Sequence, residues 1–225
     1  MNSNTIILTC IYLVGLAVLL IFNEINYRRL KVKGEISRKF AHFAATLCTI
    51  PLPYVFSSHW YVFILAVIFA LVLFITQKGH LLQSIHDVER KSIGSYLLPI
   101  SIYVTFFVSK YFESRLMYVL PILILAISDP MAAIVGIGMK KYNHRIKIFG
   151  IDTQKSMFGS GAFLLSSLLV CLMALYFNRR VFDETTIVIS LTIAVVSTIV
   201  ELFSRRGLDN LLVPISVILV LLFLN

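Results

Sequence analysis

Eight stretches of this 225-residue chain run apolar for most of a bilayer's width, and almost nothing polar separates them except short basic segments. They fall at about 5–23, 40–57, 60–77, 95–112, 116–138, 157–177, 185–203 and 209–224. A helix rises about 1.5 Å per residue and the hydrocarbon core is about 30 Å thick, so such runs are read as membrane-spanning helices. They show no strand-like alternation, and the loops between them are too short to form a separate soluble domain. With 59% hydrophobic and 14% charged residues, the composition agrees, since a soluble domain is about half apolar and a quarter charged. The expected fold class is therefore all-α: a polytopic transmembrane helical bundle of about eight spans (seven to nine), residues 1–225 forming a single integral membrane catalytic domain. The run from Thr5 to Phe22 lacks a basic leader and a small-residue cleavage site, so it is read as a span. Pro51 and Pro53 fall inside the second run and predict a broken or re-entrant segment.

Charge orients the bundle. Sixteen of the twenty Lys and Arg residues lie in the loops after spans one, three, five and seven; Lys110, Arg115, Arg179 and Arg180 lie in the others. Cytoplasmic loops carry the excess of Lys and Arg, which predicts a cytoplasmic basic face and both termini outside. The net charge of +9 is thus mostly a topology signal, and no nucleic-acid-binding motif accompanies it. Cys10, Cys48 and Cys171 all lie in apolar runs without paired spacing, and are read as small hydrophobes.

Ionisable residues inside or at the edges of spans cost roughly 2.5–3.5 kcal/mol each at a helix centre, so they have a partner or a function. Asp129 stands in LAISDPMAAIVG, where Pro130 is expected to break the helix and Ala132, Ala133 and Gly136 leave room for close backbone approach. In EISRKFAHF, Glu35, Arg38 and His42 share a helical face, with Lys39 beside them. In QKSMFGSGAF, Lys155 and Ser156 precede a helix start carrying Gly159, Ser160 and Gly161, where free N–H groups suit phosphate. ELFSRRGLDNLLVP brings Glu201, Asp209 and Asn210 around a short turn. Each has a structural alternative: Asp129 neutralised by a neighbouring cation, Arg38 and Lys39 snorkelling, His42 and Gly159 packing, Glu201 paired with Arg205 four residues on, Asp209 capping a helix. A smaller set, Glu89, Arg90 and Lys91, opens the fourth span. All these clusters fall at the predicted cytoplasmic ends of spans. Carboxylates for Mg²⁺, cations for phosphates and small residues for close approach together suit a nucleoside triphosphate.

RKFAH, ERKSIGSYLLP, SDPMAAIVG, KSMFGS and the closing E…GLDNLLVP, in this order over about residues 35–215, resemble the CTP-dependent polyprenol and lipid kinases, a family that includes dolichol, phytol, farnesol and diacylglycerol kinases. Asp129, Ala132 and Gly136 match the family's D-x-x-A-x-x-x-G. Where the family has a second glycine this chain has Lys140, with Asn143 nearby, and where the family has K-K-T-x-E-G it has Gln154, Lys155, Ser156, Met157, Phe158 and Gly159. One lysine and one glutamate are lost, which shifts weight to Asp129, Glu201 and Asp209. The resemblance implies transfer of the γ-phosphoryl of CTP to a membrane lipid alcohol at the cytoplasmic face of the bilayer, with Mg²⁺ expected alongside CTP. It implies nucleotide contacts from Arg38, Lys39, Ala132, Gly136, Lys155, Ser156, Gly159 and Asn210. It implies metal ligation by Asp129 and Asp209, and activation of the hydroxyl by Asp129, Glu201 or His42. A cytidylyltransferase resembling CDP-diacylglycerol synthase is the rival enzyme, but its H-G-G-x-x-D-R run is absent. A transporter or scaffold is the non-enzymatic alternative, which predicts charges open to both membrane faces.

Overall fold

The computed structural model describes residues 3–30, 34–79, 81–86, 92–139, 142, 144–148 and 151–224. Glu89, Arg90, Lys91, Lys140 and Asn143, named above, lie outside the described residues, as do the loop residues Lys31, Lys33 and Lys141. The elements are α1 (Ser3–Leu30), α2 (Glu35–Thr49), α3 (Leu52–Val55), α4 (His59–Lys78), α5 (Gln83–His86), α6 (Gly94–Tyr111), α7 (Leu116–Gly138), β1 (Arg145–Ile148), β2 (Ile151–Ser156), α8 (Met157–Arg179), α9 (Glu184–Phe203) and α10 (Asp209–Leu224). Every apolar run read from the sequence is helical. The second run breaks as expected: α2 ends at Thr49, Pro51 occupies the turn, and α3 is a single turn. Among the described residues five helices, α1, α4, α7, α8 and α9, are long and apolar enough to cross a membrane, and α10 is a shorter apolar helix. α6 is less apolar because Ser101, Thr105 and Ser109 lie along its buried face.

One expectation is corrected. Pro130 does not break its helix, since α7 is continuous through both Pro121 and Pro130. α7 packs against α2, α6, α8 and α10, and this tertiary packing holds it together where proline removes a backbone donor. The segment before α8 adds a small sheet to the helical bundle. β1 and β2 form an antiparallel hairpin, Lys147 opposite Asp152, so Lys155 projects from a strand and Ser156 caps α8 by accepting from Gly159 N at 3.2 Å.

Contacts at the two ends of the bundle show the helices running alternately up and down. At one end the start of α6 meets the start of α10: Ile93 N donates to Arg206 O at 2.9 Å, and Asn210 Nδ2 donates to Gly94 O at 2.7 Å. Gly207 makes this approach possible, because a Cβ there would lie 2.4 Å from Gly94 N, and its φ of +89° suits glycine alone. At the other end the start of α7 meets the end of α2, where Tyr118 Oη donates to Thr49 O at 2.9 Å. That end is rich in aromatics, and its four cations all have local partners. Arg115 lies over Tyr54, Lys110 over Phe106 and Arg180 over Phe177, while Arg179 pairs with Asp183 at 2.9 Å.

The core is in three parts around α7, which is the most buried of the five long apolar helices. One part joins α7 to α8, α9 and α10 through Leu120, Ile124, Phe163, Ile193 and Val217. A second joins it to α3, α4 and α6 through Leu52, Val62, Phe106, Tyr118 and Leu125. The third, with Leu20, Ala41, Phe69 and Leu73, lies between α1, α2 and α4. Large apolar side chains also cover the outer faces of α1, α4, α8 and α9, among them Ile11, Val14, Leu71, Leu165, Leu169 and Leu191. Such a surface belongs in lipid, where the outer face needs no polar covering.

Candidate active site

At the end of the bundle that carries the basic loops, α2, α7, the hairpin, α8, α9 and α10 line an open cavity of about 330 Å³, within the usual range for small-molecule sites. Its chemistry comes from five charged side chains delivered by five elements. Lys39 on α2 reaches Asp129 on α7, Nζ to Oδ2 2.5 Å. Lys155 on β2 reaches Glu201 on α9 at 2.5 Å and Asp209 on α10 at 2.9 Å. Two ammonium groups thus face three carboxylates, all largely buried, and the cluster carries one net negative charge. Burial opposes the charge on Lys155, but Asp209 and Glu201 outweigh it and hold the ammonium above the usual lysine range.

The hairpin aims Lys155 inward. Asp152 accepts from Gln154 N at 2.8 Å, Thr153 Oγ1 donates to Ile146 O at 2.8 Å, and Gln154 takes a left-handed φ of +61°. Arg205 Nη2 donates to Asp152 O at 2.6 Å, tying the hairpin to the end of α9. The backbone N–H of Gln154, followed by Arg145, holds the Asp152 carboxyl below its usual value. Arg205 is therefore not the partner of Glu201; the alternative four-residue pairing gives way to Lys155, which the hairpin brings across 46 residues.

Gly159 serves close packing. A Cβ there would meet Ala132 O at 2.9 Å and Ser156 Oγ at 2.7 Å, so α7 and α8 touch through Ala132 and Gly159. Ala132, Gly136, Ser156 and Gly159 all line the cavity. Asp129 lies deeper than its expected place at a helix end. It is nine residues before the end of α7, about 13 Å at 1.5 Å per residue.

Three of the expected residues face a second space. Arg38, His42 and Asn210 line a smaller cavity on the other side of Lys39, which borders both. Arg38 is paired with Glu35, as the helical offset implied. His42 Nε2 lies 3.4 Å from Leu125 O and 3.7 Å from Asp129 Oδ2. The Asn210 amide is committed to Gly94.

Arg145 and Gln154, which the sequence does not mark as site residues, line the large cavity, as do Ser160 of the expected phosphate-binding helix start and Glu35. Alternating Ile146, Ile148, Ile151 and Thr153 around Gly150 was the available hairpin signal.

A phytol kinase from Synechocystis sp. is 30% identical to this chain over 185 residues, covering 81% of the chain and 76% of that protein. The chain belongs to the polyprenol and phytol kinase family. A dolichol kinase from Saccharomyces cerevisiae is 37% identical over 91 residues, which is 40% of this chain and 16% of that protein. No protein-family model and no solved structure matches the chain. For a polyprenol and phytol kinase, the chemistry to accommodate is a polyphosphate beside a lipid hydroxyl. Glu201 Oε2 and Ser160 Oγ are buried beside the cavity with no partner among the described residues. Buried polar atoms are normally satisfied, and these two are suited to a cation and a phosphate oxygen. Among the described residues no three His, Cys, Asp or Glu side chains form a metal-binding cluster. Mg²⁺ does not need one, since it commonly takes one or two carboxylates and completes its shell with phosphates and water. The donor set therefore fits a magnesium–nucleotide complex better than a protein-only metal site.

Proposed function

We propose that this chain is a CTP-dependent lipid kinase that transfers the γ-phosphoryl of CTP to the hydroxyl of a membrane lipid alcohol at the cytoplasmic face. The observation that carries the reading is the buried cluster of Lys39, Asp129, Lys155, Glu201 and Asp209, which lines one cavity among apolar helices. The phytol and dolichol kinase relatives support the reaction class, and the family resemblance supplies CTP as donor.

In this reading Lys39 and Lys155 leave their carboxylates to bind the phosphates, with Arg145 at the cavity edge. That exchange frees Asp129 and Asp209 for Mg²⁺, near the unpartnered Glu201 oxygen. When bound, the metal neutralises charge on the transferring phosphoryl group. His42 lies between the small cavity and Asp129 and receives the hydroxyl proton. The lipid oxygen forms a bond to the γ-phosphorus, the bond from that phosphorus to the bridging oxygen breaks, and CDP leaves. Most of the acceleration comes from positioning and charge neutralisation. The excess of Lys and Arg in the loops at this end supports a cytoplasmic site, where CTP is found.

The test is a product analysis. Purified protein with γ-labelled CTP and a lipid alcohol should give CDP and a labelled lipid monophosphate, and chelation by EDTA should stop the reaction. Release of pyrophosphate with a CDP-lipid would instead establish the cytidylyltransferase. Excess unlabelled ATP should not dilute the label. In sealed right-side-out vesicles, transfer should require CTP inside.

A further inference from the structure

Lys155 reaches the charged cavity from a strand held mostly by its own hairpin. Thr153 Oγ1 donates to Ile146 O, Gln154 N donates to Asp152 Oδ1, and Met157 N, at the start of α8, donates to His144 O. Among the described residues, two side chains carry the hydrogen bonds that join the hairpin to α9 and α10. One is Lys155 itself, through Glu201 and Asp209. The other is Arg205, whose Nη2 donates to Asp152 O at 2.6 Å.

The link between α9 and α10 gives Arg205 its place. It stands four residues after Glu201 and four before Asp209, midway between the two carboxylates that Lys155 meets. Arg206 and Gly207, which follow it, both take a left-handed backbone, with φ of +54° and +89°. That turn is itself held, because Arg206 O accepts from Ile93 N at 2.9 Å and Gly207 lies against Gly94. The backbone beside Arg205 is thus tied to the start of α6, and its guanidinium is tied to β2. From Asp152 to Lys155 is three residues of strand, about 10 Å at 3.3 Å per residue, so a shift at Asp152 carries Lys155 with it. Arg205 does not line the cavity, and its bond goes to a backbone oxygen rather than to the lysine.

We propose that Arg205 is a positioning residue that holds β2 at Asp152 and so keeps Lys155 over Glu201 and Asp209. Its bond persists when the Lys155 ammonium leaves those carboxylates for a phosphate, so the strand stays in register over the cavity during the exchange. The part played in the reaction rests on the lipid-kinase reading, whereas the hold on Lys155 does not.

Arg205→Ala and Arg205→Lys are compared with the unaltered protein in detergent. Arg206→Gln is the control, since Arg206 is next in the chain, equally charged and also exposed. Should Arg205→Ala fail to fold, Arg205→Gln, neutral and shorter, takes its place. The first readout needs no nucleotide: brief exposure to an acetylating ester, with Lys155 and Lys39 followed in one sample by mass spectrometry. Lys39 is similarly buried and pairs with Asp129 on other elements, so it reports general loosening. Arg205→Ala should raise acetylation of Lys155 about fivefold, the population change that one hydrogen bond of ordinary strength represents, with Lys39 unchanged. Arg205→Lys, which can still donate one bond, should restore most of the protection, and Arg206→Gln should match the unaltered protein. The second readout is transfer from γ-labelled CTP to a lipid alcohol. In Arg205→Ala kcat should fall at least about tenfold, as when a catalytic group is slightly misplaced, KM for CTP should change less, and Arg205→Lys should recover part of the loss. Unchanged acetylation of Lys155, an equal rise at Lys39, an equal effect of Arg206→Gln, or an intact kcat with Lys155 exposed would overturn the proposal. Selective exposure of Lys155 without any lipid phosphorylation by the unaltered protein would leave the hold on Lys155 standing and defeat the kinase reading.

Discussion

Replacing Lys155 with Met removes a cation that lies between two buried carboxylates. Its Nζ is 2.5 Å from Glu201 and 2.9 Å from Asp209, and the Glu201 side chain is only 3% exposed. At an effective dielectric constant near 20, each contact has a gross Coulomb energy of about 6 kcal/mol. Desolvation cancels much of that, and breaking a buried pair by removing one partner costs about 3–5 kcal/mol. Two carboxylates then face each other without a counter-ion, so the upper part of that range is expected. Thermal unfolding in detergent, followed by circular dichroism, should show a large drop in Tm. Adding Glu201→Gln to Lys155→Met removes one stranded charge and should recover most of the stability. It should not recover catalysis. Loss of an electrostatic contact to the transition state costs about 10²–10³-fold, so kcat/KM for lipid phosphorylation should stay down by at least that factor in both variants. If the double variant regains stability and activity together, Lys155 is a structural counter-ion and its place on the phosphates is refuted.

Two further outcomes test the fold around the site. Gly159→Ala should lower Tm in detergent because its Cβ would meet Ala132 O at 2.9 Å, whereas Gly161→Ala, with nothing within 4 Å, should not. Equal behaviour would remove the close α7–α8 approach from the account. Asp183 caps α9, and bonds from Thr186 and then the charge of Arg179 hold its carboxyl below the usual range. A depressed native value means that its contribution is present above the unfolded value of about 3.9 and is lost as pH falls through the native one. The Tm of Asp183→Asn should therefore lie below that of the unaltered protein at neutral pH and converge with it in strong acid; a difference independent of pH would refute this.

Much of this protein was legible in order along the chain. Apolar runs of bilayer length have one solution available to their backbone polar groups, so the helices and their approximate ends followed from the sequence. So did the break at Pro51 and the Glu35–Arg38 pairing, because helical offsets are local. The residues that gather at the charged cavity were also singled out beforehand, since an ionisable group in an apolar run is conspicuous. Their partners were not legible. Glu201 was four residues from Arg205, the local solution, yet it pairs with Lys155, because a short hairpin carries that lysine over the ends of α9 and α10. Pro130 carried a strong helix-breaking signal that packing on α7 overrode. Arg38, His42 and Asn210 look equivalent to Lys39 in sequence, but rotation about α2 and the Gly94–Gly207 contact turn them toward a different space. Periodicity and hydrophobicity, being properties of neighbours along the chain, fixed which segments enter the membrane and which residues are costly there. Which charge neutralises which depends on groups far apart in sequence, and the packed bundle alone decided it.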